Sequence, residues 1–207
     1  MTRTSTTRAA TIGPADPRLQ LAPPGERAGF WLFALSFALP MVLALVVITV
    51  PLLHGSPARL IGDSLPLTIA LPLVGLAVVC GLLWWVLSHF MRRQSLQVVD
   101  GTLDLRSSFY RDRVPLSELG LDRARVVDPD EHTEFKPILK TNGFSIPGFR
   151  SGWFLLRNRR RSFVAIGDGR RQLWLPTSGK HDLLIEPRDP AALVAHLREL
   201  AATRSAG

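Results

Sequence analysis

Cysteine, tyrosine and lysine are scarce in this 207-residue chain: there is one cysteine, one tyrosine and three lysines against 22 arginines. The lone thiol, Cys80, excludes an intrachain disulfide and a cysteine-built zinc site. The absence of cysteine after residue 80 suits a reducing compartment. No glycine-rich phosphate loop is present, so nucleotide chemistry has no motif behind it. The stretch GFSIPGF, around Ser145, misses the spacing of a nucleophile elbow. Its Gly143, Pro147 and Gly148 read instead as backbone punctuation ahead of a strand. Charge is missing altogether from two long stretches, residues 28–53 and 65–91.

Those uncharged stretches are where most of the apolar content lies. About 20 apolar residues suffice to cross the bilayer core as a helix, and both stretches exceed that. They lack the polar stripe of a buried soluble helix, and the first is too long for the apolar region of a signal peptide. About a dozen polar or turn-forming residues join them, which predicts an antiparallel transmembrane hairpin over 28–91. Pro40 and Pro72 are expected to kink the spans. Arg3, Arg8, Arg18 and Arg27 precede the first span, Arg92, Arg93, Arg106 and Arg111 follow the second, and the short loop between holds only Arg59. Basic flanks stay on the cytoplasmic side, so the expectation is a two-pass protein of the cell inner membrane with both termini cytoplasmic. Arg27, Trp31, Trp84 and Trp85 fall at the inner ends of the spans, as interface anchors would.

Residues 1–27 carry no periodic apolar pattern and are expected to form a disordered basic tail. Beyond Arg92 the pattern changes to short alternating runs. Asp100-Gly101 sits between two of them as a hairpin turn, and SGWFLLRN with RSFVAIGD makes a second hairpin. Asp168-Gly169 and Ser178-Gly179-Lys180 mark further turns. Asp189 and Pro190 open a helix whose buried stripe is Leu193, Leu197 and Leu200. The expected fold class is α+β: the hairpin, then an antiparallel β domain over residues 92–202 capped by the C-terminal helix, with 203–207 as a tail.

This order of parts resembles a family of bacterial membrane proteins with a pleckstrin-homology-like domain. DGTLDLRSS, TNGFSIPGFRSGWFLLRN, RSFVAIGD, LWLPT and DLLIEPRDPAALVAHL carry the resemblance, over about residues 96–200. It implies a strongly bent, seven-stranded antiparallel barrel or sandwich closed by the last helix, and it brings no catalytic residues. The first hairpin turn, QVVDGTLDL, lacks the basic residues of phosphoinositide-binding relatives, so no inositide pocket is expected there.

Two charge clusters remain. DPDEHTEF, residues 128–135, could hold a hard cation, which would make a metal-dependent membrane enzyme. It lacks the order of a calcium loop and any second ligand group, so the reading favours a solvated loop, with no metal, cofactor or catalysis. Lys136, Lys140 and Arg150 alternate with aromatic residues in the loop before SGWFLL, but no nucleic-acid-binding motif accompanies them. Arg157, Arg159, Arg160 and Arg161 surround Asn158 at the tip of the second hairpin. If Asn158 and Arg159 form a two-residue loop, Arg157 and Arg160 face each other and repel. With Arg92 and Arg93 these arginines are the candidate surface for anionic lipid. The expected partners are the bilayer and another protein or a second copy of the chain.

Overall fold

The computed structural model describes residues 17–54 and 64–205. The first apolar stretch is one rod in three parts: α1 (Glu26–Phe33), a π-helical turn (Ala34–Ala38) and α2 (Leu39–Leu53). Pro40 accounts for the wide turn. Proline has no N–H, and its ring crowds the carbonyl four residues back. The Leu39 N–H therefore reaches five residues back, to the Ala34 carbonyl. The second stretch, α3 (Leu65–Arg92), continues through Pro72. Ser64 caps its start, with Oγ accepting the Leu67 N–H at 3.5 Å.

Both helices are long and apolar enough to cross a membrane. Phe33 meets Trp84 edge-to-face at 5.9 Å, and Gly81 leaves room for Phe37 between the rods. Little else is covered: Val47, Val79 and Leu82 are each more than 60% exposed.

The β domain begins at once, because only Arg93 separates α3 from β1. β1 (Gln94–Val99), β2 (Thr102–Ser107) and β3 (Tyr110–Pro115) form an antiparallel meander. Asp100 and Gly101 make its first turn with φ of 51° and 71°, the doubly positive pair of a type I′ hairpin. The remaining strands are β4 (Arg125–Val127), β5 (Pro137–Ile146), β6 (Phe149–Leu156), β7 (Arg161–Ile166), β8 (Gln172–Leu175) and β9 (Asp182–Ile185). They form one sheet in the order β4-β8-β9-β7-β6-β5. α4 (Pro190–Ser205) closes the chain, and Asp189 caps it by accepting the N–H groups of Ala191 and Ala192 at 3.0 Å.

Three apolar clusters hold these parts together. The main core lies between the two sheets and α4, and includes Leu103, Leu105, Phe163, Leu183, Leu193 and Leu197, all at 1% exposure or less. A second cluster, with Phe135, Phe154, Val164 and Leu184, fills the other face of the larger sheet under the β4–β5 loop. The third joins Ala28, Leu32 and Met91 of the helices to Phe149, the first residue of β6 after the β5–β6 turn. Gly143 and Gly152 pair across β5 and β6; Gly152 has φ of 110°, and a Cβ there would sit 2.7 Å from the Asn142 carbonyl oxygen. A side chain at that position would push the two strands apart.

Several sequence expectations change. Among the described residues the strands number nine, in sheets of three and six, where the resemblance implied seven. β9 inserts between β7 and β8 and runs parallel to β7, so Asp168-Gly169 opens a crossover and the domain is not wholly antiparallel. Residues 136–146, read as loop, contribute the edge strand β5. Residues 17–27, assigned to the tail, are packed on the domain. Leu19 and Leu21 pack against the main core, the Ala22 N–H reaches the Glu186 carbonyl at 2.7 Å, and the Arg188 N–H reaches that of Gln20 at 2.9 Å. Residues 1–16, in the same expected tail, lie outside the described residues, as do 55–63 of the inter-span loop.

Candidate functional site

The arginine-rich tip is a three-residue loop. The Arg159 N–H bonds to the Leu156 carbonyl and the Leu156 N–H to that of Arg160, each at 2.9 Å. Arg159 takes φ of 63°, so the loop is a turn followed by one left-handed residue. Arg157 and Arg160 therefore do not face each other, and the repulsion anticipated for a two-residue loop does not arise. Arg160 turns inward. Its guanidinium donates to both oxygens of Asp182, at 2.6 and 3.1 Å, and Asp182 is fully buried. The Trp174 indole and the Thr177 N–H also donate to that carboxylate, each at 3.3 Å. Arg161 lies over the Trp153 ring at 4.7 Å. Arg157 and Arg159 remain exposed.

Arg92 ends α3, and Arg93 follows it as the link to β1. The Arg93 guanidinium lies 5.1 Å from the centre of the Phe90 ring, which stacks on Phe109 of the β2–β3 turn. The β5–β6 turn is at the same helical base, through Phe149. β6 then runs eight residues, about 23 Å of strand, before it reaches the arginine tip. The structure thus separates the two halves of the predicted basic surface. Of the residues expected as interface anchors, Trp31, Trp84 and Trp85 are 38–61% exposed on the helices, and Arg27 stands in the first turn of α1.

Arg27 belongs to a site that sequence reading did not assemble. A groove of about 700 Å³ opens between the start of α1, the β5–β6 turn, the β7–β8 connection and the β4–β5 loop. Arg27, Arg150, Arg170 and Lys136 line it, with Asp130 and Asp168. Lys136 is paired with Asp130 at 3.2 Å. Among the described residues none of the three arginines forms an ion pair. Gly148, with φ of 85°, follows Pro147 in the order a type II turn requires. A Cβ on it would lie 2.9 Å from the Ala28 nitrogen and from Asp168 Oδ2, so only glycine lets the turn close on the helix.

Beneath the groove, Glu186 accepts the Gly167 N–H at 2.7 Å and fixes the Gly167–Gly169 bend. Burial pushes its carboxyl above the usual range, against the two backbone donors of the bend, and nearby Asp168 adds to the rise. On the outer face of the three-stranded sheet the opposite holds. A hydrogen bond from Arg111, with the charges of Arg106 and Arg113, keeps the Asp104 carboxyl below its usual range despite partial burial.

The acidic DPDEHTEF loop has structural tasks. Asp128 accepts the Asp130 N–H at 2.8 Å, Asp130 pairs with Lys136, and Glu134 lies 3.7 Å from Arg125. Among the described residues no three His, Cys, Asp or Glu side chains converge as metal ligands. Arg150 stands alone in sequence and Asp168 and Arg170 sit in the short run DGRR, and nothing local ties either segment to Arg27. Asp182 offered one hint, a carboxylate opening the wholly apolar run Leu183–Ile185. No protein-family model, curated protein or solved structure matches the chain.

Proposed function

We propose that this chain is a two-pass inner-membrane protein that holds a pleckstrin-homology-like β domain against the cytoplasmic face as a non-catalytic interaction module. The observation that carries this reading is the double attachment of the domain. α3 passes into β1 with one residue between them, and residues 17–25 bind the domain before entering α1. A domain fixed at two points has a set orientation, which suits presentation of one surface better than reach. The distribution of arginine supports a cytoplasmic domain. Two sheets and a final helix around one core support the pleckstrin-homology likeness; the parallel β7–β9 pair and the strand count depart from it.

The partner is another protein or a second copy, and β5 is the surface on offer. It is a sheet edge ten residues long, with Ile138 and Leu139 more than half exposed. Irregularities near Ile138 and Thr141 disfavour a continuous added strand, so contact through these apolar side chains is the expected mode. A photo-reactive residue placed at 138 or 139 of the full-length protein in cells tests this. Adducts at those positions, absent from a control at 180, are expected; no adduct above the control overturns the surface.

A further inference from the structure

The groove of Arg27, Arg150 and Arg170 answers a question the interaction module leaves open: why three cations from distant segments converge without a carboxylate partner. Elsewhere in the domain five arginines are matched to carboxylates. Arg160 has Asp182, Arg125 has Glu134, and Arg106, Arg111 and Arg113 share Asp104. Here, with Lys136 spent on Asp130, three guanidinium groups face one remaining acid, Asp168. That leaves the lining two charges positive. Planar guanidinium forks suit phosphate oxygens, and about 700 Å³ admits a polar headgroup with room to spare.

Position narrows the source of that phosphate. Arg27 lies in the first turn of the first apolar helix, and Phe149 of the groove wall packs on Ala28, Leu32 and Met91. The groove therefore borders the apolar base of both helices. We infer that it binds a phosphate-bearing anion, and that its place at the helical base selects the headgroup of an anionic phospholipid from the leaflet. This inference rests on the membrane placement proposed above. It also replaces the hairpin tip as the lipid contact, since the tip stands about 23 Å of strand away, beyond a Debye length of about 8 Å.

The test uses full-length protein in detergent, titrated with phosphatidylglycerol or phosphatidylcholine and read by native mass spectrometry. Wild type is expected to hold one phosphatidylglycerol in preference to phosphatidylcholine. Arg150→Gln with Arg170→Gln should weaken it roughly 10- to 30-fold, at about 1 kcal/mol per basic residue. Lysine at both positions should retain most of the binding, which separates lost charge from lost fold. Arg157→Gln with Arg159→Gln should change nothing. Equal binding by wild type and the Gln variant, or an equal loss in the tip variant, overturns the inference. A parallel arm offers glycerol 3-phosphate without lipid. Its binding, lost in the Gln variant, supports the anion site even if carbonate strips the chain from vesicles, and in that case a soluble phosphate is the source. Failure of both ligands in a carbonate-resistant protein sinks the groove and leaves the membrane placement standing.

Discussion

Replacing Arg160 with alanine should be among the most damaging single changes in the β domain, although its side chain is about half exposed. The substitution leaves Asp182 fully buried with two donors, the Trp174 indole and the Thr177 N–H, both at a long 3.3 Å. Removing one partner of a buried pair typically costs about 3–5 kcal/mol. Arg160 is 47% exposed, so water can follow it into the gap, and we expect about 2–3 kcal/mol here. For a domain of this size that lowers Tm by roughly 8–15 °C. Unfolding of the detergent-purified chain can be followed by tryptophan fluorescence, because Trp174 touches Asp182. Arg159→Ala is the control, expected within about 0.5 kcal/mol of wild type. Combining Arg160→Met with Asp182→Asn should recover at least about 1 kcal/mol, since no unpaired charge remains. If Arg160→Ala unfolds like Arg159→Ala, the inward-turned tip is wrong.

Two carboxylates give opposite pH dependence. The folded pKa of Asp104 is depressed by its arginines, so its contribution is present above the unfolded value and fades as pH falls through the folded one. Asp104→Asn should cost about 1 kcal/mol or less at pH 7 and nothing near pH 2, by urea unfolding at both. The folded pKa of Glu186 is raised by burial, so its contribution is full below the ordinary glutamate value and is lost as pH rises through the folded one. Glu186→Gln should flatten that decline above about pH 4.5 in a pH series of Tm values; an unchanged slope would count against the burial argument.

What the sequence made legible was local. The apolar stretches became α1–α2 and α3 because length and lack of charge decide a helix of that kind without reference to partners. Asp100-Gly101 became a turn because its two residues tolerate positive φ, and Asp189-Pro190 opened α4 because cap and first turn lie side by side. What stayed hidden depends on contacts far apart in the chain. Asp112 faces inward on β3 and meets His181 at 2.8 Å, which masks the alternation of YRDRVP. Residues 20–22 look featureless until Glu186 and Arg188 supply their backbone partners. The candidate groove draws Arg27, Arg150 and Arg170 from three segments, and no spacing rule links them. The hairpin tip misled for the converse reason: four closely spaced arginines read as one patch, yet the backbone sends Arg160 onto the buried Asp182 and Arg161 onto Trp153.

The account depends most on the two apolar helices crossing the bilayer with the β domain on the inner side. Cysteine labelling tests that directly, after Cys80 is replaced by serine. A membrane-impermeant maleimide should modify a cysteine at position 58, between the helices, in intact cells. A cysteine at exposed position 159 should react only after the inner membrane is opened. Labelling of position 159 in intact cells, or release of the protein by alkaline carbonate, would contradict it.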